Sequence, residues 1–92
     1  MNSASRKKVY NLIGKERAYQ AKLIKNGTFS PGDKTVGEEL TLIHEYAHRA
    51  IEAWTDTCGD ALALKRIVQV AALCVRCLEN HAGNLTLRNG IV

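Results

Sequence analysis

The sequence predicts an all-α domain, a three- or four-helix bundle assembled as a homo-oligomer. Apolar residues recur at three- and four-residue steps over most of the chain, a capping box opens the central segment, and little of the sequence has strand character. A length of 92 residues predicts a single domain, residues 1–92, because so short a chain seldom divides into two hydrophobic cores. The 46% hydrophobic and 24% charged shares exclude a disordered or low-complexity chain.

Residues 1–34 form the basic segment. Val9, Leu12, Ile13, Leu23 and Ile24 sit at helical spacing among charges, and Gly14 predicts an interruption, giving one broken helix or two short ones. Within the first 26 residues, Arg6, Lys7, Lys8, Lys15, Arg17, Lys22 and Lys25 stand against Glu16 alone and hold much of the net charge of +4. Such a segment suits an anionic partner, and nucleic acid is among the classes it admits; a solvated basic face is the plainer reading. Asn26-Gly27 supplies a C-terminal stop, and Thr28–Lys34, with Pro31-Gly32-Asp33, reads as a surface loop.

Residues 35–83 read as a helical hairpin. Thr35-Val36-Gly37-Glu38 is a capping box, after which Leu40, Ile43, Ala47, Ala50, Ile51 and Trp54 draw an apolar stripe as far as about Asp56. Cys58-Gly59 breaks the pattern, and Asp60 is the expected N-cap of the next helix. From Ala61 to about His81 that helix is apolar around most of its circumference, so it needs cover on more than one side. Two other helices cover it only in part, and the surplus predicts self-association. Gly83-Asn84 closes the hairpin, leaving a short tail over 84–92.

Three cysteines cannot all be used in a closed disulfide framework, and Cys74-x-x-Cys77 lies in an apolar helical stretch, where thiols pack as small hydrophobes. No window approaches the roughly 18 apolar residues of a bilayer span, and the N-terminus leads into mixed polar sequence, so the expected location is cytoplasmic, without a membrane partner.

Two constellations carry chemistry. His44-Glu45-Tyr46-Ala47-His48 matches H-E-x-x-H, in which residues four apart on a helix present two imidazoles to zinc while the Glu polarises its water. A zinc peptidase would also need a third ligand, for which Glu52, Glu79 and His81 are candidates, and a substrate cleft. The plainer reading is two histidines on the partly exposed side of an amphipathic helix.

The second constellation is longer. Glu16-Arg17-Ala18-Tyr19-Gln20, Thr35-Val36-Gly37-Glu38, Ala50-Ile51-Glu52-Ala53-Trp54, Gly59-Asp60-Ala61-Leu62-Ala63-Leu64, Ile67-Val68-Gln69-Val70-Ala71-Ala72 and Cys77-Leu78-Glu79-Asn80-His81 occur in that order. Over about Lys15 to Gly83 the chain thereby resembles a family of small phage and prophage proteins that are MazG-like, or nucleotide pyrophosphohydrolase-like. The resemblance implies an all-helical oligomer whose helices cradle a nucleotide, in the host cytoplasm if the chain is phage-encoded. In MazG-type enzymes, E-x-x-E and E-x-x-D pairs hold magnesium ions that bridge phosphate oxygens. Here Glu39 is followed three residues on by Leu42 and Glu45 by His48, and no such pair occurs anywhere in the chain.

That departure predicts binding without turnover and without a cofactor. The expected ligand residues are Arg17 for a forked phosphate contact, Lys22 and Lys25 for added charge, Tyr19 and Trp54 for stacking, and Gln20, Glu38 or Glu45 for a base edge. Each has a plainer role, the aromatics as core, Arg17 as partner to a Glu, and Glu38 as the cap. The expected function is a phage-type protein that sequesters a nucleotide signal of host immunity. The enzyme alternative is a divergent nucleoside-triphosphate pyrophosphohydrolase with magnesium on Glu38, Glu39, Glu45 and Glu52.

Overall fold

The computed structural model describes residues 3–25, 34–57 and 59–85, apart from the side chains at 24, 25, 57 and 84. The expected loop from Thr28 through Asp33, its Asn26-Gly27 stop, Cys58, the Lys25 side chain and the tail from residue 86 onward lie outside the described residues. Three α-helices, α1 (Ser3–Lys25), α2 (Val36–Thr57) and α3 (Asp60–Asn80), are followed by a short 3-10 turn over Ala82–Asn84. There is no strand among the described residues, and none of their helices is long and apolar enough to cross a membrane.

Helix α1 is continuous, contrary to the interruption expected at Gly14. A methyl group at that position would meet nothing, so the glycine only lowers local helix propensity, and one such residue does not break a helix of this length. Ile13, Glu16, Arg17, Gln20 and Leu23 recur at helical steps as the covered face, whereas every residue from 3 to 12 is exposed, Val9, Tyr10 and Leu12 included.

The capping box that opens α2 forms as its residues dictate. The Thr35 amide donates to Glu38 Oε1 at 2.9 Å, and the Glu38 amide donates to Thr35 Oγ1 at 3.1 Å. The bond from the Thr35 amide, and then the Thr35 hydroxyl, hold the Glu38 carboxyl below its usual range. At the start of α3 the expectation fails, because Gly59 occupies the N-cap and Asp60 is already helical. Asp60 instead accepts the indole N–H of Trp54 at 3.1 Å, a contact that ties the end of α2 to the start of α3.

Helices α1 and α2 each pack on α3 and not extensively on each other. The buried apolar residues are Ala50, Ala53, Ala63, Ala72 and Leu73, so the helices approach closely but enclose little apolar area. Part of the apolar stripe expected to face inward on α2 lies outside, with Leu40, Ile51 and Trp54 exposed. The radius of gyration of 14.7 Å exceeds the about 12 Å expected of a compact chain of this length, in keeping with three helices that do not close on themselves.

Polar contacts close the end where α2 begins and α3 finishes. Glu39, 3% exposed, accepts the Asn80 side-chain amide on Oε1 at 2.9 Å, and its Oε2 lies 3.0 Å from His81 Nε2. Arg76, equally buried, holds Nε 3.9 Å from Oε1, an ion pair beyond direct hydrogen-bond length. Burial works to raise the Glu39 carboxyl, but hydrogen bonds from Cys77, Asn80 and His81 and the charge of His81 outweigh it, and the net shift is downward. Burial, then the adjoining Glu39, pushes the Cys77 thiol up.

Candidate ligand-binding face

On a helix, residues at three- and four-residue steps share a side, so Lys8, Leu12, Lys15, Tyr19 and Lys22 form one line along α1. All five are exposed. Leu12 and Lys15 border a cleft of about 450 Å³ between α1 and α3, whose other walls are Glu16, Leu64, Lys65 and Val68. No carboxylate among the described residues pairs with Lys8, Lys15, Lys22 or Lys65. The cleft therefore offers two ammonium groups over an apolar floor of Leu12, Leu64 and Val68, with a tyrosine one turn further along α1.

A second, larger groove of about 520 Å³ runs between α2 and α3. Its walls are almost wholly apolar, with Ala47, Ala50, Ile51 and Trp54 on α2 and Ala63, Leu64, Ile67 and Val70 on α3. Leu64 borders both the groove and the cleft, so the apolar surface continues into the basic one.

The residues expected to contact a ligand are divided between α1 and α2. Tyr19 and Lys22 lie on the exposed line of α1. Arg17 is on the covered side, where Nε donates to Glu79 Oε1 at 2.7 Å and fastens α1 to the end of α3. Gln20, 4% exposed, donates through Nε2 to the Gln69 carbonyl at 3.4 Å and to Glu16 at 3.3 Å, while its Oε1 is buried without a hydrogen-bond partner. On α2, Glu45 accepts from Arg49 Nη2 at 2.9 Å, and that guanidinium lies 4.6 Å over the Tyr46 ring. Trp54 lines the apolar groove, 57% exposed.

His44, Glu45 and His48 of the H-E-x-x-H pattern are exposed. His48 Nε2 lies 3.9 Å from Glu52, and no further His, Cys, Asp or Glu among the described residues completes a ligand set with His44 and His48. Among the described residues the one set of three that does converge is Glu39, Cys77 and His81, a set that no motif in the sequence joins. Cys77 and the capping residue His81 stand four apart across the end of α3, a spacing visible in sequence, but Glu39 joins them only through the packing of α2 on α3. Cys74 and Cys77 are free, half-buried thiols.

No protein family, curated protein or solved structure matches the chain.

Proposed function

We propose that the chain is a nucleotide-binding protein that assembles with copies of itself and holds its ligand without turning it over. Its role in this reading is a phage-type sponge for a nucleotide, cyclic or linear, that signals host immunity. The observation that carries the reading is the exposed line Lys8, Leu12, Lys15, Tyr19 and Lys22, which meets Lys65 at an apolar-floored cleft. Lysines take phosphate as point charges, and a tyrosine or an apolar floor takes the face of a base, so the combination suits a phosphate-bearing aromatic ligand. Of the ligand residues expected from sequence, Tyr19 and Lys22 fit this role, while Arg17 and Gln20 hold α1 in place on α3.

Self-association is supported by where the large side chains lie. Ile51, Trp54, Leu64 and Ile67 line the surface of the groove while alanines fill the core, and burying each such side chain against a second copy contributes about 1.5–3 kcal/mol. Because Leu64 belongs to both surfaces, a subunit seated on the groove would border the basic cleft and help enclose its ligand. Binding without hydrolysis is supported by the engagement of the acids: Glu38 caps α2, Glu45 pairs with Arg49, Glu52 lies beside His48, and Glu39 is buried at the α2–α3 junction. A magnesium centre needs several such oxygens turned toward one point.

The test is prolonged incubation with a panel of cyclic and linear nucleotides, with magnesium present, followed by separation and mass analysis. Retention of one ligand class at unchanged mass, weakened by Lys15→Ala and Tyr19→Ala at unchanged melting temperature, is the expected result. Stoichiometric release of a monophosphate and pyrophosphate from a triphosphate would overturn it in favour of a pyrophosphohydrolase.

A further inference from the structure

Cys77 lies in the last turn of α3 and His81 caps that helix, its backbone N–H bonded to the Cys77 carbonyl at 3.1 Å, so the two stand one above the other, and Glu39 reaches the same point from the start of α2. The Cys77 Sγ, a His81 ring nitrogen and a Glu39 carboxylate oxygen all lie within 4.8 Å of one another. Tetrahedral zinc, bound at about 2.3 Å by sulfur and about 2.0–2.2 Å by nitrogen and oxygen, sets its ligand atoms roughly 3.4 Å apart. Side-chain adjustments on the order of an ångström bring the three atoms to that spacing. We propose that Glu39, Cys77 and His81 form a three-ligand site for zinc or a similar borderline-soft divalent cation, with water as fourth ligand, pinning the start of α2 to the end of α3.

The two oxygens of Glu39 are already divided between roles. Oε1 takes the Asn80 amide at 2.9 Å and is the oxygen nearest Arg76 at 3.9 Å, whereas Oε2 faces His81 Nε2 at 3.0 Å. Oε2 is thus the metal-facing atom, and Asn80 and Arg76 hold the carboxylate from behind, as outer contacts do for metal-bound carboxylates. One sulfur, one nitrogen and one oxygen select zinc-like cations over magnesium and calcium, which take oxygen ligands. On binding, the thiol proton leaves to solvent, and His81 ligates as the neutral imidazole with its proton on the ring nitrogen that does not face the metal. The resulting thiolate and carboxylate neutralise the dication, so Arg76 borders a site without net charge. This site shares no residue with the H-E-x-x-H pattern.

The experiment uses the full chain, stripped with a chelator and titrated with cobalt(II) and then with zinc. One equivalent of cobalt per chain with thiolate-to-metal charge-transfer absorption, displaced by zinc, is expected. Cys77→Ala should abolish that absorption, His81→Ala should weaken binding by about tenfold or more, and Asn80→Ala by about tenfold, while His44→Ala leaves it unchanged. Failure of the unmutated protein to give the absorption would overturn the proposal whatever the variants do. So would an absorption that survives Cys77→Ala, or one lost with His44→Ala.

Discussion

The two halves of α3 differ in how they are covered. From Val68 to Cys77 no residue is exposed, whereas from Asp60 to Ile67 only Ala63 and Arg66 escape exposure. The covered half ends in the polar contacts of Glu39, Arg76, Asn80 and His81, and the open half presents Leu64 and Ile67 beside Ile51 and Trp54 of α2. One helix thus differs along its length: its second half is covered by the fold, and its first half presents an apolar surface that the described residues leave open.

The sharpest way to break this contrast is at the covered end. Glu39→Ala removes the carboxylate beside a buried guanidinium and should cost about 3 kcal/mol, read as a lower midpoint in denaturant melts. Acid probes the same contact. The Glu39 carboxyl is held below its usual range in the folded chain, so its contribution is complete above the ordinary carboxylate pKa and disappears as pH falls through the lowered value. In chelator-treated protein, Glu39→Gln should be less stable than the parent at neutral pH and should lose less stability on acidification; an identical pH profile would contradict the assignment.

At the open end the expected effect is on assembly. Ile51→Asp puts a charge on an exposed face, so a monomer should tolerate it within about 0.5 kcal/mol, whereas a subunit interface there should dissociate. Sedimentation velocity separates the two outcomes, and an unchanged sedimentation coefficient would remove the groove from the account.

Much of the fold was legible in the sequence for identifiable reasons. The capping box at Thr35 and Glu38 is a local device whose two bonds depend only on residues three apart, and the structure forms both. Asp60 is not the N-cap that its place after Gly59 suggests, because its partner, Trp54, lies six residues away across a turn, beyond the reach of local pattern. Gly14 does not interrupt α1, since propensity at one position yields to the helix around it. Periodicity identified the apolar stripe of α2 but not which of its edges α3 covers, and so it does not separate Ala50, which is buried, from Ile51 and Trp54, which are not, and it leaves out Ala53, which is buried too. The candidate site was less legible still. The basic character of α1 was plain, yet the cleft depends on Lys65 and Leu64 from α3, and the Glu39, Cys77 and His81 set depends on two helix ends meeting.

Smaller effects sharpen the comparison. Thr35→Ala removes the side-chain half of the α2 cap and should cost about 1 kcal/mol in thermal or denaturant melts. Gly14→Ala, at an open position within α1, should stabilise by about 0.5–1 kcal/mol without altering ligand retention, since no neighbouring atom meets the added methyl group.

The most direct test of the central claim is native mass spectrometry of the freshly purified chain, followed by denaturation and mass analysis of whatever is released. An oligomer that releases an intact phosphate-bearing nucleotide is the predicted result. A monomer that carries no nucleotide, and takes up none when the panel is supplied, would contradict it.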